Sequence, residues 1–499
     1  MALSPPVRGG LIAAAIALVA GAFTLNHTLV GVFYDDGLYA GLATALASGL
    51  GYVHPHLPGT PGAVHYPPLY PVVLAPLFGL LSVNAAAFVA KILNVLLGAS
   101  AAGLIAWHIM RTELLDPALP RWVAPTIVTA AAIAIPLLAT QSVLFAEPVF
   151  AVCLAVLVIS VDRRDATGSP LLAGVVAAAA LLTRSIGVAA AAGIACFLIS
   201  RRVPMRTLLL TLAPAAAAAL AWGLWVITHE QRIDPMLRVN YGSYGTIVRQ
   251  SGLSALGVSA PDLARPLEAI TLGWIPLPWL YNLLATLTLG VGLYGLLLLT
   301  RRSAIGFILI FYLLILAIWP YPPDRFLWAV LPWLALAWCI GALALARRWR
   351  RLRIPIALLA LLLVAGYVRY EVQGFAGRWW GTQARAISEN FAELLPIVAQ
   401  LPPTAVVATD DEALVWLYAR RQAVPLYLES YRGREVVRPS PAEHWAYLQR
   451  MGVSHILLAS ASSPSASELR RILEVHPHSL TAVYRWPDGR WLFAVNRGP

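Results

Sequence analysis

The sequence predicts an all-α polytopic membrane protein that ends in a soluble α/β domain. Hydrophobic residues make up 59% of the 499-residue chain and charged residues only 12%, which excludes an ordinary soluble globular protein. The apolar residues form about eleven stretches close to the length at which a helix crosses the hydrocarbon core. After residue 370 the composition becomes that of a soluble domain, with charged helices and short apolar strands.

The predicted spans cover residues 10–33, 84–110, 122–138, 146–161, 170–183, 185–200, 206–228, 272–299, 303–320, 326–346 and 354–370. The two segments beside Arg184 are short, which is compatible with a hairpin that does not fully cross the membrane. The first span is interpreted as a signal anchor, because many further spans follow it.

Basic residues predict the orientation. If every span is crossed in turn, one side of the membrane receives the arginines of the short links: Arg8, Arg111, Arg121, 163–164, 201–206, 301–302 and 347–353. The positive-inside rule makes this side the cytoplasm, so the net charge of +12 reports topology and not a nucleic-acid partner. The alanine- and arginine-rich, lysine-poor composition suggests a bacterial chain. We therefore expect a multi-pass inner (plasma) membrane protein with a cytoplasmic N-terminus and a periplasmic or extracellular C-terminal domain.

Two domains follow from this organisation. Residues 1–370 form the transmembrane domain, whose first outer loop, 34–70, contains amphipathic helices, and residues 371–499 form the outer-face α/β domain. Strands are predicted at 405–409 and 455–459 in a parallel or mixed sheet, and a terminal hairpin at 481–486 with 491–495. Helices are predicted at 383–399, 411–419, 441–451 and 465–473.

An acidic pair, Asp35 and Asp36, stands where the first apolar stretch ends. Carboxylates are costly in hydrocarbon, so the pair belongs either to a solvated loop or to a site that faces water. The opposing interpretation is that Asp36 only caps a helix over residues 37–48.

Three further charges stand out in apolar surroundings. Glu147 begins a span, where it could orient a substrate or simply favour a helix N-terminus. Arg184, inside a hydrophobic hairpin, needs a phosphate or a counter-ion, for which Glu147, Asp35 and Asp36 are the candidates. Arg325 could bind phosphate or form an exposed pair with Asp324.

The histidines and tyrosines of the outer loops can each be interpreted in two ways. His54, His56 and His65 lack the paired spacing of structural zinc, so no metal site is predicted, although a divalent cation is left open. Tyr66 and Tyr70 could stack on a sugar or sit at the membrane interface. Tyr241 and Tyr244 belong either to a mobile substrate loop or to an ordinary outer loop.

Five motifs together carry a resemblance to a known family. They are Asp35-Asp36, Tyr-Pro-Pro-Leu-Tyr-Pro at 66–71, Phe-Ala-Glu-Pro at 145–148, Thr183-Arg184 and Asp-Arg-Phe at 324–326. In these motifs and their order the chain resembles the glycosyltransferase C (GT-C) superfamily, polytopic enzymes that use polyprenyl-phosphate-linked sugars. The branch it resembles holds the protein O-mannosyltransferases and the aminoarabinose transferase of lipid A. The resemblance implies a GT-C type fold, an outer-face active site and inversion at the anomeric carbon.

Inverting transfer from a phospho-sugar needs one carboxylate to take the proton of the acceptor hydroxyl, and cations to hold the departing phosphate. Asp35 or Asp36 is the candidate base, with the first favoured by the resemblance, and Glu147 is a further catalytic candidate. Arg184 and Arg325 are the phosphate ligands. The substrate-binding candidates are His65, Tyr66, Tyr70, Tyr241 and Tyr244.

The predicted function is hexosyl or pentosyl transfer from a polyprenyl-phosphate donor to a hydroxyl of a cell-envelope lipid, glycan or protein. One alternative is a transporter or flippase of lipid-linked sugars, but no repeated halves are visible in the sequence. The other is an O-antigen-ligase-like transferase, which would be expected to place its key residues in one large late loop.

Overall fold

The computed structural model describes residues 3–162, 169–251, 263–319, 321–432 and 435–496. The chain is mostly helical, at 68%, with a small sheet near its C-terminal end, which confirms the coarse fold prediction. The predicted Arg163–Arg164 link, Pro320 and part of the 229–271 segment lie outside the described residues.

In the first half of the chain the helices are α1 (Pro5–Ala22), α2 (Asp35–Ala47), α3 (Leu69–Leu80), α4 (Val83–Thr112), α5 (Val123–Ala132), α6 (Ile135–Gln141), α7 (Glu147–Val161), α8 (Pro170–Thr183), α9 (Val188–Ser200) and α10 (Met205–His229). In the second half they are α11 (Arg238–Tyr241), α12 (Tyr244–Ser251), α13 (Arg265–Thr271), α14 (Pro278–Thr300), α15 (Ala304–Ala317), α16 (Asp324–Ala329), α17 (Leu331–Arg348), α18 (Arg353–Gly377), α19 (Thr382–Val398), α20 (Glu412–Ala419), α21 (Pro441–Arg450) and α22 (Pro464–Val475). The strands are β1 (Val406–Thr409), β2 (Gln422–Pro425), β3 (Ser430–Arg432), β4 (Glu435–Val437), β5 (His455–Leu458), β6 (Leu480–Arg485) and β7 (Trp491–Val495).

Among the described residues, six helical segments are long and apolar enough to cross a membrane. They are Pro5–Ala22, Val83–Thr112, Met205–Arg232, Pro278–Thr300, Leu331–Arg348 and Arg350–Val398. Helices α5 and α6 meet at a 59° bend and count as one further, broken span. Because several other apolar helices have only 10–17 residues, the predicted eleven spans are not confirmed.

The first span is shorter than the sequence predicts. Helix α1 ends at Ala22, whereas the apolar run was expected to continue to residue 33. Thr24 closes this end, because both its amide (2.9 Å) and its hydroxyl (2.7 Å) donate to the carbonyl of Gly21. A carbonyl satisfied in this way no longer needs a further helical turn.

The chain divides into two compact units. Unit 1 comprises Met1–Leu25, Lys91–Trp222 and Gly252–Gly381. Unit 2 comprises Asn26–Ala90, Gly223–Ser251 and Thr382–Pro499. Unit 2 therefore combines residues of the first predicted outer loop, of the 229–271 segment and of the C-terminal α/β region.

Close helix packing in unit 1 depends on glycine. A Cβ atom at Gly295 of α14 would lie 1.8 Å from the carbonyl oxygen of Ala337 in α17, and one at Gly341 would lie 2.1 Å from that of Val291. The two backbones can approach only because neither glycine has a side chain. Membrane helices commonly pack through small residues, since there is no hydrophobic gain on leaving lipid.

The sheet of unit 2 is mixed, with the order β2-β1-β5-β7-β6. Strand β1 pairs in parallel with β2 and β5, whereas β7 runs antiparallel to β5 and β6, which form the predicted terminal hairpin with it. The sheet edge also holds the first loop, because the amide of Ala423 in β2 donates to the carbonyl of His56 at 2.8 Å.

Helix α20 packs directly on the turn before α2. Gly31 has φ of +99°, and a Cβ atom there would lie 2.6 Å from the Cβ of Leu414. The amide of Val30 donates to the hydroxyl of Tyr418 at 3.0 Å, and that of Leu29 donates to Ser388 at 2.9 Å. The turn is thus folded against residues almost four hundred positions later in the chain.

We predict that Gly295→Ala destabilises unit 1. The new methyl group would collide with the backbone of α17, and overpacking of this kind costs about 1–3 kcal/mol. Gly290→Ala is the matched control, because it lies in the same helix and a Cβ there has nothing within 4 Å. Thermal unfolding in detergent should show a lower midpoint for Gly295→Ala alone; equal midpoints for the two variants would contradict the packing described.

Candidate active site

Asp36 supports the backbone of the turn before α2. It is 1% exposed, and its two carboxylate oxygens accept hydrogen bonds from the amides of Gly31 and Phe33, each at 2.9 Å. The helix begins at Asp35, with Tyr34 in the N-cap position, so the interpretation of Asp36 as the cap of a helix over 37–48 is wrong. The carboxylate instead accepts hydrogen bonds from backbone amides that precede the helix.

Asp35 is placed differently from its neighbour. It is the first residue of α2 and is partly exposed, and its Oδ1 accepts a hydrogen bond from the hydroxyl of Tyr66 at 2.6 Å. Burial, and after it the charge of Asp35, raises the pKa of Tyr66 well above its usual value. The phenol therefore remains a hydrogen-bond donor to this carboxylate at neutral pH.

A set of aromatic rings surrounds this pair. Tyr66 packs against Tyr39 and His65, with ring centroids 4.8 Å and 4.6 Å apart. Tyr39 in turn meets the edge of Tyr70 at 5.0 Å, and His65 packs on Tyr244 at 4.2 Å. We call these five residues the aromatic cluster. It fixes the Tyr66 ring, and through it the hydroxyl that holds Asp35.

His65 is held in one tautomer. Its Nδ1 lies 2.7 Å from the carbonyl oxygen of Gly242, and since a carbonyl only accepts, Nδ1 carries the proton. Burial lowers the pKa of His65, which favours the neutral ring. Its Nε2 is therefore an unprotonated nitrogen. The contact also connects the first loop to the segment between α11 and α12.

A second buried group in unit 2 is centred on Tyr241. Its hydroxyl donates to Oε1 of Glu412, and Nε2 of His56 lies 2.9 Å from the same hydroxyl. All three side chains are at most 1% exposed. Because the hydroxyl hydrogen goes to Glu412, Nε2 of His56 is the donor in the second bond. This Tyr241 network joins three distant chain segments.

Burial sets the ionisation of this network. It raises the pKa of Glu412 to about 7, and it lowers the pKa of His56 to about 3. Burial, followed by the charges of Asp410, Glu412 and Asp36, also raises the pKa of Asp411 well above its usual value. The acidic run after β1 therefore holds protons more tightly than exposed carboxylates do.

The histidines do not assemble a metal site. The rings of His54 and His56 meet edge to face at 5.5 Å, while His65 belongs to the aromatic cluster. Within residues 3–162, 169–251, 263–319, 321–432 and 435–496, no group of three or more histidine, cysteine, aspartate or glutamate side chains is arranged to hold a metal ion.

In unit 1, the buried carboxylate of Glu147 forms ion pairs with a buried arginine, Arg184, and with a partly exposed one, Arg325. Glu147, at the start of α7, is 1% exposed and its Oε1 meets both Arg184 and Arg325. The Nε and Nη2 atoms of Arg325 lie 3.0 Å and 2.9 Å from that oxygen. Of the counter-ions considered for Arg184, Glu147 is the one observed within this unit, and Arg325 also pairs with Glu147.

Aromatic rings support both guanidinium groups. Arg184 lies over the ring of Phe326 at 4.4 Å, and Arg325 lies over Phe145 at 3.6 Å. The amide of Asn94 holds the backbone beside Phe145, at 3.0 Å from the carbonyl of Val143. Two guanidinium groups therefore meet one carboxylate here, and guanidiniums bind anionic oxygens through charge-assisted hydrogen bonds.

Arg184 owes its position to a break between helices. The predicted hairpin is present, since α8 ends at Thr183 and α9 begins at Val188. Arg184 has extended backbone angles between the two helices, so its side chain does not follow the rows of side chains on either helix. Both helices are short, and the break places a charged residue at their junction.

Two residues that the sequence analysis missed belong to these groups. Tyr39 lies four positions after Asp35, which places both on one face of α2. Glu412 ends the acidic run that follows β1, and the carboxyl ends of parallel strands are where such sheets commonly bind ligands. This acidic run is visible in the sequence, but its contacts with the first loop depend on packing between segments that are far apart in the chain.

The fold places the chain in a known structural class. The chain has the GT-C fold, so the resemblance found in the sequence motifs is confirmed at the level of fold. No protein-family model matches the sequence, and no curated protein matches it either.

Two solved proteins carry the likeness. ArnT from Cupriavidus metallidurans matches in the apo state with a TM-score of 0.52 and bound to undecaprenyl phosphate with 0.50, each at 16% identity over 97% of both chains. The oligosaccharyltransferase AglB from Archaeoglobus fulgidus matches in its apo form with 0.53, at 13% identity over 99% of this chain and 74% of that one. Its complex with an inhibitory peptide and a dolichol-phosphate matches with 0.50, at 12% identity over 98% of this chain and 74% of that one.

We predict that Glu412 makes unit 2 less stable as the pH rises from about 5 to 7. Its pKa is raised from 4.5 to about 7, so in this window the folded state keeps a proton that the unfolded state has lost. The difference corresponds to about 3 kcal/mol in total. Glu412→Gln should remove this part of the pH dependence, as measured by the unfolding midpoint between pH 5 and 8.

The control is Glu474→Gln, an exposed glutamate in the same unit. It should keep the wild-type slope. A Glu412→Gln profile parallel to that of the wild type would show that Glu412 ionises normally.

Proposed function

We propose that the protein is an inverting glycosyltransferase that moves a sugar from polyprenyl phosphate to an acceptor hydroxyl on the outer face of the membrane. The observation that carries the proposal is the division of labour within the acidic pair. Both carboxylate oxygens of Asp36 accept hydrogen bonds from backbone amides, whereas Asp35 is partly exposed and accepts a hydrogen bond from the phenol of Tyr66. A general base needs the second kind of environment.

The reaction requires one base and one leaving-group site. Asp35 takes the proton of the acceptor hydroxyl as its oxygen bonds to the anomeric carbon of the sugar. The bond between that carbon and the phosphate oxygen breaks, and its electron pair remains on the polyprenyl phosphate. Attack from the face opposite the phosphate inverts the configuration, and no covalent sugar–enzyme intermediate is needed.

Arg184 and Arg325 are assigned to the phosphate. Charge builds on the phosphate oxygens as the glycosidic bond breaks, and guanidinium groups stabilise such charge. Glu147 then serves to hold the two arginines rather than to act on the sugar, since both guanidiniums meet its carboxylate. This assignment replaces the expectation that Glu147 is itself catalytic with a positioning role.

The aromatic cluster is assigned to sugar recognition. His65 meets Tyr66 edge to face and lies tilted against Tyr244, and aromatic side chains of this kind suit the apolar face of a sugar ring. Tyr70 and Tyr241 are completely buried, so they are assigned supporting roles. The lipid bound in the ArnT structure, undecaprenyl phosphate, and the dolichol-phosphate of the AglB complex support a polyprenyl-phosphate donor here.

We predict that Asp35→Asn and Asp36→Asn fail in different ways. Asp35→Asn removes the base and should lower turnover by roughly 10²–10⁴-fold with an unchanged unfolding midpoint. Asp36→Asn should lower the midpoint, because a hydrogen bond to a charged group contributes about 1.5–3 kcal/mol. Radiolabel transfer from a panel of polyprenyl-phosphate sugars to membrane acceptors is measured beside thermal unfolding.

Each contrary result has a clear meaning. Full activity of Asp35→Asn, or an inactive Asp36→Asn with a wild-type midpoint, would reject Asp35 as the base. If no donor supports transfer and lipid-linked sugar crosses liposome membranes regardless of both changes, the protein is a transporter.

We predict that Arg325→Ala weakens donor use more than acceptor use. The change removes one of the two guanidiniums assigned to the phosphate, so the KM for the donor should rise by roughly 10–100-fold. Arg378→Ala, an exposed arginine of unit 1, is the control. Equal losses for donor and acceptor would oppose a role in phosphate binding.

A further inference from the structure

A cavity with basic walls lies at the other end of α7 from Glu147. Its volume is about 610 Å³, and it is lined in part by the residues that follow α9 and α14, including Arg201, Arg301 and Arg302. Asp162, directly after α7, also lines it, whereas Glu147 begins that helix. Fifteen helical residues separate the two positions, or about 22 Å along the axis. The cavity is therefore distinct from the Glu147 group.

The three arginines have hydrogen-bond capacity to spare. All are exposed, and within the described part of the chain none forms an ion pair with a carboxylate. Arg201 donates to the carbonyl of Arg301 at 2.9 Å, and Arg302 donates to that of Leu114 at 3.1 Å. Since a guanidinium has five N–H donors, most remain available for an anion.

The nearby carboxylates do not cancel this charge. Asp162 accepts hydrogen bonds from Nε2 of His108 at 3.0 Å, from the hydroxyl of Ser303, and from the amide of Ala304 at 2.8 Å. Its oxygens are thus directed at the protein. Glu113 is exposed and lines the cavity, so among the described residues of its wall three cations face one carboxylate that has no such internal role.

The cavity combines these charges with apolar walls. Phe197 and Leu198, in the last turn of α9, and Val161, at the end of α7, also line it. The arginines come directly after the apolar helices α9 and α14, and the end of an apolar helix is where guanidiniums meet lipid headgroups. A free anion would use only the basic part, whereas an amphiphile would use both.

We propose that this cavity binds the headgroup of an anionic phospholipid. The phosphodiester receives hydrogen bonds from the three arginines, and the start of an acyl chain lies against Phe197 and Leu198. Basic recesses between membrane helices bind such headgroups in other proteins. The inference does not rest on the proposed sugar transfer, since it uses no residue of that reaction.

The test is lipid binding by the full-length protein in detergent, followed by native mass spectrometry with phosphatidylglycerol and phosphatidylcholine. The variant Arg201→Ala/Arg301→Ala/Arg302→Ala should bind phosphatidylglycerol on the order of 100-fold more weakly. Its control is Arg206→Ala/Arg350→Ala/Arg351→Ala, which removes three exposed arginines that do not line the cavity. The control should bind like the wild type.

Three results would overturn the proposal. They are an equal loss in the control, which indicates a general surface-charge effect, equal binding of phosphatidylcholine, and full displacement of lipid by millimolar inorganic phosphate. If the triple variant does not fold, the single change Arg301→Gln replaces it. That change should weaken phosphatidylglycerol binding several-fold, and an unchanged affinity would reject the site.

Discussion

The carboxylate of Asp36 is the interaction on which the first loop of unit 2 depends. An ionised side chain that is almost fully buried is tolerated only when its charge is met by donors, and here two backbone amides supply them. This fixes the turn through Gly31, which in turn decides where Asp35 emerges. Asp35 is therefore available for the chemistry assigned to it because Asp36 is the residue that binds the backbone amides of the turn.

Unit 1 also contains a buried charge that needs a partner, and here the charge is the cation of Arg184. Arg184 would be very costly alone among apolar helices, and Glu147 compensates it while sharing the same oxygen with Arg325. The group thus contains two cations and one anion. In each unit, one carboxylate makes structural contacts beside the charged groups to which the chemistry is assigned. Asp36 does so beside Asp35, and Glu147 does so beside Arg184 and Arg325.

The sequence predicts those features that depend on local pattern. The hairpin around Arg184 and the terminal strands 481–486 and 491–495 follow from apolar length and alternation, and the structure has both. The number of spans was not predictable in the same way, because a bend separates α5 from α6, and α1 ends at Ala22, just before Thr24 donates to the carbonyl of Gly21.

The candidate site shows the same limit. The residues Asp35, Tyr66, Glu147, Arg184 and Arg325 stand out by residue type and motif order. Their partners do not, because the choice of Glu147 for Arg184 and the contact of Glu412 with Tyr241 join segments far apart in sequence. Neither hydropathy nor motif spacing specifies such pairings; they follow from how the helices pack.

The long-range contacts of the first loop have a consequence for biosynthesis. The amide of Val30 bonds to Tyr418, which is 388 residues later in the chain. At a synthesis rate of 5–20 residues per second, the loop waits roughly 20–80 s for that partner. The turn that holds Asp35 must therefore remain incomplete during translation. A chain interrupted before Tyr418 therefore lacks this contact to the turn.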